Sequence, residues 1–224
     1  PLSDTSEDPA PESLDADATD PGCPRDNPDW TVGLQLWREG AHEGYTLIAP
    51  MSSTMTYLID MCGRVVHTWS GDNAPGNVVY LLDGGHLLRT EMLSDPGNPV
   101  FKGGGEGGRI YEMTWEGEVV WDHTYSSETH LQHHDVEMLP SGNVLLVAWE
   151  YRSAAEAVEA GRDATSIVDG ELWPDTIVEL QPETGDVVWI WRAWDHLVQD
   201  HDPTKENHGV VEDHPELIDL NFKR

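Results

Sequence analysis

The run His130-Leu-Gln-His133-His134-Asp135 holds the side chains of this sequence best suited to chemistry. Neutral imidazole acts near physiological pH as a base, a nucleophile or a metal ligand. Adjacent residues on a regular strand point to opposite faces, so His133 and His134 can face one ligand only where the chain bends. The spacing argues against a two-histidine metal site. It favours one working ring beside a packed or hydrogen-bonded neighbour, and a purely structural pair is the competing reading. A second group combines Trp194-Asp-His196, Asp200-His201-Asp202, His208, Asp213 and His214. Oxygen and imidazole ligands of this kind can hold Ca²⁺ or a transition metal, but the spacing fits no metal motif. An acidic solvated loop is expected there, and no metal. Gly103-Gly-Gly-Glu-Gly-Gly108 suggests a phosphate cradle. No Lys-Ser/Thr pair and no helix follow it, so a flexible connector is expected.

The elements that must position these residues are announced by a hairpin motif present three times: Tyr57 to Trp69, Tyr111 to His123 and Val178 to Trp191. Each copy reads as a strand, a polar turn closed by Gly63, Gly117 or Gly185, then Val-Val followed by aromatic or imidazole rings. Glycine supplies the positive φ of a tight turn, and β-branched and aromatic residues suit a pleated surface. A second hairpin type turns at Leu82-Asp-Gly-Gly85 and at Pro140-Ser-Gly-Asn143. One hairpin of each type makes four strands, the content of a propeller blade. The expected fold class is all-β, a β-propeller of about three four-stranded blades. The run Ser153-Ala-Ala-Glu-Ala-Val-Glu-Ala160 before Gly161 predicts one short helical insertion. Beyond Trp194 a loop is expected, with a short strand near Glu216 to Phe222.

The chain has 224 residues and a formal net charge of −30. That charge excludes nucleic acid and disfavours an anionic membrane surface as partners, because both need clustered Lys and Arg. No apolar run is long enough for a transmembrane helix. Residues 1–29 are rich in Asp, Glu, Pro, Ser and Ala, and are expected to form a disordered acidic linker ahead of a domain over 30–224. Ten Trp against two Phe, set largely in the repeated strands, predict aromatic packing between blades. The two cysteines, Cys23 and Cys62, can pair in an oxidising compartment, and they form no CxxC motif. The start at Pro1 reads as a processed end, and export to the periplasm or beyond is expected.

Several segments together resemble the bacterial arylsulfotransferase family. They are Gly44-Tyr-Thr-Leu-Ile-Ala-Pro50, Thr56-Tyr-Leu-Ile-Asp60, Val65-Val-His-Thr-Trp69, Gly85-His-Leu-Leu-Arg-Thr90, Gly108-Arg-Ile-Tyr-Glu112 and His130-Leu-Gln-His-His-Asp135. Leu172-Trp-Pro-Asp175, Trp194 to Asp200 and His214 to Asp219 extend the likeness over nearly everything after Trp30. The resemblance implies a six-bladed propeller, of which this chain would supply the N-terminal half. It implies sulfuryl transfer from an aryl sulfate to a phenol through a transiently sulfurylated histidine, with no nucleotide donor and no cofactor. It places His134, with His133 as the alternative, at a sulfate oxygen. Arg109 is a candidate anion partner by charge alone. The family's nucleophilic histidine would lie beyond Arg224, leaving part of the active site in this chain. The competing function is a non-catalytic scaffold or binding propeller that closes its ring with a second copy or a partner chain. Glu183-Thr-Gly-Asp-Val-Val-Trp189 also resembles the tryptophan-docking motif of quinoprotein dehydrogenases, and is read as convergent packing.

Overall fold

Alternating apolar residues broken by glycine turns fold here into short antiparallel strands. A computed structural model of the chain describes Cys23 and residues 42–93 and 103–222. In chain order the strands are β1 (Tyr45–Ile48), β2 (Met55–Asp60), β3 (Val65–Ser70), β4 (Pro75–Leu81), β5 (Leu87–Met92), β6 (Gly108–Met113), β7 (Val119–Thr124) and β8 (His130–Met138). They continue as β9 (Val144–Glu150), β10 (Arg152–Ser153), β11 (Glu171–Leu172), β12 (Asp175–Leu180), β13 (Val187–Arg192), β14 (Leu197–Val198) and β15 (Ile218–Asp219). The described residues divide into two compact units. One holds Cys23, 42–46 and 58–67; the other holds 47–57 and 68–222. The segment expected as a linker, 1–29, lies outside the described residues except for Cys23, and so does the expected domain start at Trp30.

In the smaller unit Cys23 and Cys62 form a disulfide with Cα atoms 5.2 Å apart. The turn beside it is held by Asp60. Its Oδ1 accepts from the Cys62 and Arg64 amides at 2.9 Å each, and its Oδ2 accepts from Arg64 Nε at 2.7 Å. Gly63 closes this turn with φ of 77°, which a side chain would resist.

In the larger unit the two hairpin types combine as expected. β4-β5-β6-β7 form one four-stranded sheet, and β8-β9-β12-β13 form the other, each strand next to its chain neighbour in the sheet. Leu88 and Ile110 of the first sheet join Val136, Val144, Leu146, Ala148, Val178 and Leu180 of the second in one buried core. Trp69, nearly fully buried, donates its indole N–H to the Thr114 carbonyl at 3.1 Å and meets the Trp115 ring edge-on. The outer strands keep their Val-Val pairs exposed, at Val119 and Val120 on β7 and at Val187 and Val188 on β13.

Between β9 and β12 the chain leaves the sheet for α1 (Ala154–Glu159). Ser153 and Glu156 form a reciprocal capping box at its start, and Gly161 ends it with φ of 100°. After Trp194 the chain is mostly loop, as expected, with β14 and β15 pairing in parallel. No helix among the described residues is long and apolar enough to cross a membrane.

Candidate functional site

The strand that carries His133 and His134 is bent where they sit. Gln132 pairs with Ala148 of β9 and Val136 pairs with Leu146, so three residues of β8 oppose Val147 alone. His134 has φ of 53°, in the left-handed region that few side chains adopt. This bulge cancels the opposite-faces rule, and the two imidazoles meet with Nδ1 atoms 2.9 Å apart. The rings stand edge to face at 88°, with centroids 5.1 Å apart.

Three surroundings fix the pair. The buried His133 ring stacks on Trp149 of β9, with centroids 3.8 Å apart and planes 16° from parallel. His133 Nε2 lies 3.3 Å from Asp175 Oδ1 at the start of β12. That contact is off the line of a hydrogen bond, which leaves the buried nitrogen otherwise unpartnered. His134 remains exposed, held by the glycine-rich segment.

That segment is no loose connector, contrary to the expectation. Its backbone forms a short ladder on the bulge: the His134 amide donates to the Gly105 carbonyl at 2.9 Å, and the Gly107 amide donates to the Gln132 carbonyl at 3.0 Å. Glu106 bridges His133, and the buried Gln132 carboxamide accepts from the Gly108 amide at 3.0 Å. Glycine is required at 105, where φ is 80° and a Cβ would fall 2.5 Å from the His134 ring. At 107 a Cβ would fall 2.1 Å from the Gln132 oxygen. The segment's glycines at 105 and 107 are what let the backbone approach His134 and Gln132.

The neighbouring candidates are engaged elsewhere. Asp135 accepts from the Tyr80 hydroxyl of β4 at 2.8 Å and from the Val136 amide at 2.8 Å. The Tyr80 bond and partial burial push the phenol pKa above its usual value. Arg109 turns its guanidinium onto three carboxylates: Asp122 through Nε and Nη2, Asp72 at 2.8 Å and Glu91 at 2.7 Å. The Asp122 bonds, with Asp72 and Glu91 and against burial, hold it firmly charged. Its charge is therefore already answered by β5, β7 and the segment before β4.

Behind Arg109 lies a cluster that sequence reasoning missed. Arg89 and Glu91 are fully buried and paired with each other. Tyr111 donates to Glu91 at 2.7 Å, and Arg89 donates to the Thr54 and Asn73 carbonyls at 3.1 and 2.9 Å. Burial works against the Glu91 anion, yet bonds from Tyr111 and Arg109 and the Arg89 charge hold its pKa below the ordinary value. Gly71 makes room for this cluster, since a Cβ there would overlap Arg89.

His130, at the head of β8, contacts Ser127 Oγ at 3.0 Å and tilts over Tyr125. Burial lowers its pKa, against the nearby Glu150. In the second candidate group His196 stacks on Trp191, and Asp202 caps the Thr204 amide. Among the described residues no group of three or more His, Cys, Asp or Glu side chains could hold a metal ion.

Residues 38–217 match the family described as Arylsulfotransferase (ASST). No curated protein matches the chain.

Proposed function

Because the chain belongs to the arylsulfotransferase family, we propose that it moves a sulfuryl group from an aryl sulfate ester to a phenolic acceptor, without a nucleotide donor. The observation that carries this reading is the bulge that holds His133 and His134 ring to ring, with His134 exposed. In the same reading the two four-stranded sheets are successive blades of a propeller. Their first strands, β4 and β8, are linked through Tyr80 and Asp135 and would line its channel. The bulge then presents His134 at the channel wall.

Sulfuryl transfer breaks the bond from sulfur to the donor aryl oxygen and forms one to the acceptor oxygen. Negative charge moves onto the sulfate oxygens and the leaving phenolate, where fixed hydrogen-bond donors stabilise it best. As the resemblance implies, the group would rest between the two steps on a histidine, a role that we give to no residue of this sequence. We therefore assign His134 to a sulfate oxygen, with His133 in support, and assign no nucleophile. Arg109, tied to three carboxylates, would act by holding the first sheet together. The disulfide and the family together support export to the periplasm or the outside.

The test is transfer from 4-nitrophenyl sulfate to a phenol by the complete polypeptide, followed by nitrophenol release. The expected result is turnover that His134→Ala reduces by on the order of 100-fold or more. Full activity in that variant would remove His134 from the mechanism. A second reading rests on the exposed Val187, Val188 and Trp189 of β13, at the edge of its sheet. Such an edge favours ring closure by a second copy or a partner chain, with or without chemistry. Light scattering should then give a mass well above one chain, and a monodisperse monomer would sink that reading.

A further inference from the structure

The contact between the two Nδ1 atoms requires one nitrogen to donate and the other to accept. Two arrangements of the neutral rings satisfy it. In the first, His133 donates from Nδ1 and its Nε2 carries a bare lone pair, buried and 3.3 Å from the Asp175 carboxylate. That sets a buried lone pair against an anion, and leaves a buried polar atom unanswered. In the second, His133 carries its proton on Nε2, facing Asp175, and accepts at Nδ1 from His134. The carboxylate then attracts the N–H even off the line of an ideal bond. A small turn of the Asp175 side chain, itself 61% exposed, completes that bond.

No other carboxylate competes for the pair among the described contacts. Asp135 is taken by Tyr80 and the Val136 amide, and Glu106 meets His133 through a backbone bridge. Trp149 fixes the plane of His133, and Gly105 packs against the ring of His134.

We propose that Asp175 and His133 are positioning residues that fix the tautomer of His134, with the proton on Nδ1 and a lone pair on Nε2. His134 is exposed as a residue, and its Nε2, which lies beside Gly105, takes no hydrogen bond among the described residues. This rests on the sulfotransferase reading for its substrate and deepens it. As the acceptor phenol oxygen attacks sulfur, the bond from sulfur to the nitrogen that carries the group breaks, its electron pair returning to that nitrogen, and the phenol proton passes to His134 Nε2. The imidazolium that forms donates from both nitrogens, and Asp175 balances its charge through His133. In the donor half, the same Nε2–H returns the proton to the leaving phenolate oxygen. One proton is taken and one is given in each cycle, so His134 contacts the sulfate ester as a donor and the incoming phenol as an acceptor.

The tautomer can be read directly by long-range ¹H–¹⁵N correlation of the full chain with ¹⁵N-histidine, at a pH where both rings are neutral. The expected result is Nε2–H on His133, the form that free imidazole side chains favour, and Nδ1–H on His134, its reverse. Nε2–H on His134 in the unaltered protein would overturn the proposal, whatever the activity. Asp175→Ala should return His134 toward Nε2–H and lower kcat on the order of 10- to 100-fold with a much smaller change in KM. Asp175→Asn, which keeps an acceptor oxygen, should restore part of both. Unchanged tautomers in Asp175→Ala would equally sink it. If that variant does not fold, the unaltered protein still decides the matter. A protein with the expected tautomers and no sulfate transfer would refute the substrate reading and leave the Asp175–His133–His134 arrangement standing.

Discussion

The two four-stranded sheets are built on one plan and use it differently. Residues 75–91 align without a gap on 132–148, so that Gly76 and Asn77 stand where His133 and His134 do. Pro75 pairs with Glu91 and Val79 with Arg89, so three residues of β4 oppose Thr90 alone, as three of β8 oppose Val147. Asn77 has φ of 84° where His134 has 53°. The bulge is thus a property of the repeat, and the histidine pair is a substitution placed on it. The interiors differ in the opposite sense. The first sheet buries Arg89 and Glu91, where the second has the apolar Leu146 and Ala148. One sheet keeps its charges inside, and the other displays its polar rings.

The largest expected effect on stability breaks that contrast from the first sheet's side. Arg89→Ala would remove the fully buried cation beside Glu91 and leave that carboxylate to Arg109 and Tyr111 alone, and should cost about 3–5 kcal/mol in denaturant unfolding. The double variant Arg89→Leu with Glu91→Ala copies the second sheet and should recover most of that loss. Equal losses in both would mean that the buried pair is not what sets the cost. Gly104 and Gly105 sharpen the comparison at the bulge. Both have positive φ, but a Cβ at 104 meets nothing, whereas one at 105 strikes His134. Gly104→Ala should therefore cost only about 1 kcal/mol of backbone strain and leave transfer intact. Gly105→Ala should cost more and lower kcat, and equal kinetics in the two variants would contradict the site.

The smallest effects lie in the pH dependence of stability, where the two sheets should respond in different windows. Hydrogen bonds and the Arg89 charge outweigh burial to depress the Glu91 pKa, so its contribution is complete above the ordinary value of 4.5 and is lost as pH falls through the lower folded value. Burial depresses His130, so its contribution is complete above 6.5 and is lost as pH falls through its own folded value. Glu91→Gln should flatten the acid limb, and His130→Gln the limb just below 6.5. Denaturant midpoints measured across pH would show whether the windows separate.

Strand composition was legible because local chemistry dictates it. Gly63, Gly117 and Gly185 mark turns that only positive φ allows, and Val-Val pairs follow each one. The pairing of hairpin types into four strands, and the helix capped at Ser153, were readable for the same reason. The bulge was not, because period-two reasoning assumes a regular register, and nothing in the local sequence states that three residues face one. The register shift also hid Asp175, which is 42 residues from His133 in sequence and adjacent to it in space. Arg109 is a different case. Its charge is visible in sequence, but the carboxylates that consume it come from β5, β7 and the segment before β4.

The most direct test makes the second bulge resemble the first. His134→Asn places at that position the residue the first sheet already carries, and asparagine tolerates the left-handed backbone there. The fold should be preserved, as the denaturant midpoint would report. Sulfate transfer from 4-nitrophenyl sulfate to a phenol by the complete polypeptide should fall by on the order of 100-fold or more. A folded His134→Asn protein that transfers sulfate at the unaltered rate would contradict the account and move the chemistry away from this bulge.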